Sequence, residues 1–210
     1  MTRVGILGGS FNPAHGGHRR LSLAALHRLR LDAVWWLVSP QNPLKRQAGM
    51  APFVARLASA RAVARHPRIR VTDIEAGMRT RFTADTLAKL VHCHPHIRFI
   101  WLMGADNLAG FHRWERWRAL AHTLPIAVFA RPGYVGDALR SPAASWFGAR
   151  RHRAAGAARW PEWPTPALVV LPMRLDPRSA TAIRAAEPGW AERLAHPRVD
   201  RPPANPRTPD

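Results

Sequence analysis

One cysteine (Cys93), one tyrosine and 13 acidic residues are all that 210 positions hold of those types. A lone thiol cannot close an internal disulfide, which excludes a disulfide-stapled secreted domain and fits a reducing compartment. No apolar run approaches the roughly 20 residues that span a bilayer, so no membrane partner is expected. Residues 1–7 lead straight into a glycine turn, without the apolar stretch and cleavage site of a secretory signal. A cytoplasmic protein is expected. Lysine is nearly missing too: 30 of the 32 basic residues are arginine, and the formal net charge is +19. Such a surplus attracts polyanions. The arginines are spread along the chain rather than gathered in one stripe, which reads as compositional bias on a solvated surface.

Against these absences stands an ordinary hydrophobic fraction of 47%, enough for one compact domain over residues 1–195. Residues 196–210 carry five prolines and almost no apolar side chain, and read as a disordered tail. Strand-like runs fall at 3–7 (RVGIL), 33–38 (AVWWLV), 69–74 (IRVTDI), 98–103 (RFIWLM), 126–129 (IAVF) and 168–171 (LVVL). Helical spacing covers 17–31, 52–66, 83–91 and 108–120, and 180–194 holds one or two short helices interrupted at Pro188-Gly189. The stretch 135–166 has weak periodicity, with a helix over 138–153 and then a loop. Alternating strands and helices predict an open, doubly wound α/β fold of Rossmann-like kind, a parallel sheet with helices on both faces. Such sheets bind ligands beyond the carboxyl ends of their strands.

The residues of chemical interest follow strands. The first strand opens into Gly8-Gly9-Ser10-Phe11-Asn12-Pro13-Ala14-His15-Gly16-Gly17-His18. This is neither a Walker A loop nor the fingerprint of hydride-transfer enzymes. Its glycines let the backbone approach a ligand. If a helix starts near 14–16, His15 and His18 share a face of its first turn, beside free N–H groups and the positive dipole end. That combination suits a phosphate chain. A metal site would need a third ligand, and no Cys, Asp or Glu lies nearby, so no protein-held metal is expected.

Gly9 to His18 resembles the G-[ST]-F-[DN]-P-x-H-x-G-H signature of the nucleotidylyltransferase superfamily, and four further segments, in order, resemble its nicotinate-nucleotide adenylyltransferase family. Ser39-Pro40-Gln41-Asn42-Pro43-Leu44-Lys45 is similar to a loop ending in Pro-His-Lys, with Leu44 where histidine is common. Phe82-Thr83-Ala84-Asp85-Thr86-Leu87 is similar to Tyr-Thr-x-x-Thr-Leu. Gly104-Ala105-Asp106-Asn107-Leu108 with Phe111-His112-Arg113-Trp114 is similar to G-x-D-x-[LF]…[FH]-x-x-W. Arg178-Ser179-Ala180-Thr181-Ala182-Ile183-Arg184 is similar to I-S-[SA]-T-x-[IV]-R, with Arg178 in place of the usual apolar residue.

The resemblance implies adenylyl transfer from ATP to nicotinate mononucleotide, giving nicotinate adenine dinucleotide and pyrophosphate in NAD biosynthesis. It implies catalytic roles for His15, His18, Lys45 and Arg184. ATP would be bound by Gly8, Gly9, Ser10, Phe11, Asn12, His15, His18, Gly104, Asp106, Ser179, Thr181 and Arg184. The pyridine nucleotide would be bound by Thr83, Ala84, Trp114 and Glu115. Thr83 and Asp106 have a second reading as helix N-caps, and Trp117 is expected to pack. Mg²⁺ is expected to arrive with ATP. The partners are small nucleotides, with no nucleic acid expected. Three alternatives remain open on the residues alone: a nicotinamide-nucleotide adenylyltransferase, a phosphopantetheine adenylyltransferase, or a basic nucleic-acid-binding protein on the same fold. Oligomeric state is not legible.

Overall fold

A computed structural model describes residues 1–40, 49–78, 80, 82–130, 135–173 and 179–195. Its strands are β1 (Thr2–Gly9), β2 (Ala33–Val38), β3 (Ile69–Thr72), β4 (Ile97–Gly104), β5 (Ile126–Ala130), β6 (Arg151–His152) and β7 (Leu168–Pro172). All pair in parallel, in the order β3-β2-β1-β4-β5-β7-β6. The helices are α1 (Gly16–Arg28), α2 (Phe53–Ala64), α3 (Ile74–Met78), α4 (Thr83–Cys93), α5 (Ala105–Gly110), α6 (Trp117–Thr123), α7 (Val135–Leu139), α8 (Pro142–Phe147), α9 (Ala180–Ala186) and α10 (Trp190–Ala195). This is the doubly wound α/β architecture that the alternation predicts.

The sheet is apolar on both faces because both are covered. Along β4, Ile100 and Leu102 enter one core while Phe99, Trp101 and Met103 enter the other. The first core takes Leu21, Ala25 and Leu26 from α1 and Leu57, Ala60 and Ala64 from α2. The second takes Leu87 and Leu90 from α4, Leu108 from α5, and Trp117 and Leu120 from α6. From β1 the chain winds outward through β2 and β3, then returns to place β4 on the other side of β1. The strand order therefore reverses between β1 and β4, and the carboxyl ends there are Gly9 and Gly104.

Four expected segments differ. The strand expected over 69–74 stops at Thr72, because a turn closed by Ala76 N–H donating to the Asp73 carbonyl (2.9 Å) starts α3. The helix expected over 108–120 is broken: α5 gives way to a 3-10 turn at Phe111–Arg113, Trp114 is extended (ψ 137°), and Arg116 is left-handed (φ 56°) before α6 begins. The helix expected over 138–153 is two short ones, followed by a strand at the sheet edge. The expected loop after it is a run of 3-10 turns, Ala154–Glu162. It is anchored by buried Trp160, whose Nε1–H donates to the Leu29 carbonyl at the end of α1 (3.0 Å). The tail 196–210 lies outside the described residues. Trp117 packs, 8% exposed, edge-on to Phe111 and Trp146.

Candidate active site

The crevice between the ends of β1 and β4 is shaped first by what is missing. A Cβ on Gly8 would overlap the Trp101 indole, which is itself buried and edge-on to Trp114. Only glycine lets β1 pass that ring. Gly8→Ala is expected to destabilise the protein by about 1–3 kcal/mol through overpacking, with part of the loss recovered by adding Trp101→Phe. An unchanged Tm in thermal unfolding would disprove this. Past Gly9 the chain turns at Phe11, a non-glycine residue at φ 46°. A left-handed residue of this kind costs on the order of 1–3 kcal/mol. Burial of the Phe11 ring, stacked on Trp36 at 5.0 Å, offsets that cost.

The turn delivers His15 to the N-cap of α1 and His18 to its first turn. Gly17 N–H donates to His15 Nδ1 (3.1 Å), and His15 N–H donates to His18 Nδ1 (3.1 Å). The two rings lie 3.9 Å apart, with Phe11 at 4.8 Å behind His18. An Nδ1 that accepts a backbone N–H carries no proton, so each neutral ring keeps its proton on Nε2. The capping box thereby fixes two neighbouring imidazoles, tilted 39° to one another, as Nε2–H donors. Ser22, buried in α1, accepts from Trp36 Nε1 (2.8 Å) and donates to the His18 carbonyl (2.9 Å), tying this turn to β2.

Asn12 serves the loop itself. Its Nδ2 donates to the Gly49 carbonyl (2.8 Å), and its Oδ1 accepts from Ala51 N–H (3.1 Å). Its own carbonyl accepts from Arg184 Nη1 (2.6 Å), which brings α9 against the β1 loop. Arg184 Nη2 also donates to Thr181 Oγ1 (3.2 Å), and Ser179 caps α9 by accepting from Ala182 N–H (3.1 Å). The segment similar to I-S-[SA]-T-x-[IV]-R thus meets the segment similar to the histidine signature, although 172 positions separate Asn12 from Arg184.

At the end of β4, Gly104 occupies the N-cap of α5 and Asp106 lies in the first turn, so Asp106 is not the cap. Its carboxylate sits where a Gly104 side chain would be. Likewise Phe82, not Thr83, is the N-cap of α4, and no side chain caps that helix. Among the described residues, the Thr83 and Ala84 amides make no hydrogen bond, whereas those of Asp85 and Thr86 bond the Phe82 carbonyl. Arg116 pairs with Asp85 and draws the Trp114–Glu115 turn against this helix start. Trp114 is half-buried and Glu115 exposed. Lys45 and Arg178 lie outside the described residues.

Two residues went unnoticed in the sequence. Arg56 of α2 is enclosed and bonds the loops after β1 and β2. Glu75 of α3 lies beside the side-chain hydroxyls of Ser39 and Thr86. Burial holds its carboxyl above the usual carboxylate range, and the two hydroxyls offset part of that. A raised native pKa means the folded protein binds this proton more tightly than the unfolded chain. Stability from this group is therefore full below the unfolded pKa and is lost as pH rises through the native one. Glu75→Gln is expected to raise Tm near neutral pH and to flatten the fall of Tm with pH above the carboxylate range. A variant less stable than wild type near neutrality would reverse the sign.

Among the described residues, no group of three or more His, Cys, Asp or Glu could hold a metal ion, and no helix is long and apolar enough to cross a membrane. A family model described as cytidylyltransferase-like matches residues 6–186. A protein of Erythrobacter litoralis named probable nicotinate-nucleotide adenylyltransferase is 59% identical over 191 residues, covering 91% of this chain and 87% of its own. A Parvibaculum lavamentivorans protein of the same name is 53% identical over 191 residues, covering 91% and 94%. Among solved structures, the Plasmodium falciparum nicotinic acid mononucleotide adenylyltransferase complexed with NaAD aligns at TM-score 0.66 and 15% identity, covering 88% of this chain and 83% of that one. At that identity the likeness is one of fold. The fold, the ordered segments and the relatives agree: this chain belongs to the nicotinate-nucleotide adenylyltransferases, enzymes of the cytidylyltransferase-like family.

Proposed function

We propose that the chain transfers the adenylyl group of ATP to nicotinate mononucleotide, as a step of NAD biosynthesis in the cytoplasm, with the named residues in the following roles. The observation that carries the reading is the paired imidazoles, whose Nδ1 atoms are occupied by backbone N–H groups at the start of α1. Their Nε2–H donors are directed to the phosphates of ATP, where they offset the charge that builds as the bond breaks. The glycine turn Gly8-Gly9 and the loop Ser10-Phe11-Asn12 line the phosphate path. Gly104 leaves room for the Asp106 carboxylate, which accepts hydrogen bonds from ribose hydroxyls. Arg184 has guanidinium N–H groups beyond those given to Asn12 and Thr181, and with Ser179 and Thr181 it grips the phosphates from the far side. Lys45 adds a further cation.

The pyridine ring lies against Trp114, and its carboxylate receives the amides of Thr83, Ala84 and Glu115. The acceptor's phosphate oxygen attacks the α-phosphorus, the bond to the bridging oxygen breaks in line, and pyrophosphate leaves with the electron pair. No protein nucleophile takes part, so the rate rests on positioning and on charge stabilisation. Mg²⁺ would arrive with ATP and offset part of the charge on its phosphates. The deciding experiment incubates the protein with ATP and nicotinate mononucleotide, follows pyrophosphate release, and identifies the dinucleotide by mass. A folded preparation that releases no pyrophosphate with this pair would end the proposal.

A further inference from the structure

Of the charged side chains among the described residues, Arg56 alone is enclosed, at 1% exposure. Its guanidinium makes four hydrogen bonds, all to backbone carbonyls: Nη1 to Ser10 (2.8 Å) and Ser39 (2.6 Å), Nη2 to Pro40 (2.8 Å), and Nε to Ala51 (3.0 Å). These carbonyls belong to three separate stretches of chain: the loop after β1, the end of β2 and the entry to α2. Neither ion pair among the described residues includes Arg56. Burying a cation costs several kcal/mol, and an apolar side chain of similar volume often stabilises as well or better. Stability alone is therefore a poor reason for an arginine here. What the planar fork supplies is geometry, since no other side chain offers five N–H groups in fixed directions.

We propose that Arg56 is a positioning residue for the transfer reaction: it locks the loops after β1 and β2 to one another, so that the Ser10–His18 loop meets the ATP phosphates preformed. This rests on the assignment of that loop to ATP. The guanidinium touches no substrate and acts through the Ser10, Ser39 and Pro40 carbonyls.

The test compares wild type, Arg56→Lys, Arg56→Gln and His18→Ala in steady-state kinetics with both substrates varied, alongside thermal unfolding. Lysine keeps the charge but presents its donors from one atom, so it cannot reproduce the four-way tie. For Arg56→Lys the expected result is a KM for ATP raised about tenfold with a lower kcat, and a KM for nicotinate mononucleotide within about twofold of wild type, in a folded protein. Arg56→Gln should be worse in the same direction. Wild-type KM for ATP in a folded Arg56→Lys protein would overturn the proposal. So would a loss shared equally by both substrates, or two variants that fail to fold, since either makes Arg56 a residue of stability. If His18→Ala also left turnover untouched, the fault would lie in assigning the loop to ATP; if His18→Ala were crippled, it would lie in Arg56 alone.

Discussion

Replacing His18 by Ala is expected to lower kcat by about 30- to 1,000-fold. The figure corresponds to roughly 2–4 kcal/mol for one donor that stabilises developing charge. The side chain also has a second task, because its Nδ1 accepts the His15 N–H at the start of α1. Losing a capping contact of this kind costs about 0.5–2 kcal/mol of stability, so Tm should fall modestly as well. The two effects separate in His18→Gln. A glutamine at the third helical position can reach back to the N-cap N–H. It should recover most of the Tm without recovering the rate, since its amide cannot accept at the cap and also stand where Nε2 stood. Wild-type turnover in a folded His18→Ala protein would refute the phosphate role.

Nicotinate mononucleotide is expected to exceed its amide counterpart by about tenfold to a hundredfold in kcat/KM. The reason lies at the start of α4, which no side chain caps and where the Thr83 and Ala84 amides have no partner among the described residues. Both oxygens of a carboxylate can accept from such donors. An amide offers one acceptor, and its NH₂ would face N–H groups, a mispairing that costs about 1–3 kcal/mol when buried. Trp114 is half-buried, on a turn held to α4 by the Arg116–Asp85 pair. Stacking does not distinguish the two rings, so Trp114→Ala should weaken both substrates alike and leave the preference standing. Glu115 is exposed, so its carboxylate points to solvent and only its amide is expected to reach the substrate. Equal kcat/KM for acid and amide would sink the assignment of this pocket while leaving adenylyl transfer intact.

Much of this molecule was legible from local pattern. The apolar runs at β1, β2, β4, β5 and β7 are each covered on both faces, and continuous apolar sequence is what such strands require. The Gly8-Gly9 turn and the His15–His18 spacing lie in consecutive residues, so their relation to one strand and one helix start is fixed by the chain itself. The sequence therefore determined the fold class and the placement of the glycine turn and the two histidines at the end of β1 and the start of α1. The broken 108–120 segment was not legible. Its residues have helical periodicity, and the break comes from Arg116 adopting φ 56° and pairing with Asp85, 31 positions away.

Arg56 shows the same limit from the other side. It stands on the stripe Arg56–Ala60–Ala64 that faces the core, and a charge on a buried stripe was the one signal available. That its partners are the carbonyls of Ser10, Ser39, Pro40 and Ala51 follows only when β1 and β2 lie side by side. The imidazole tautomers likewise depend on N–H groups that point at Nδ1 only once the capping box has closed. Periodicity is a property of neighbours in sequence and can be read there. Which carbonyl, carboxylate or ring nitrogen meets which donor is settled by contacts between distant segments, and the tertiary structure alone supplies them.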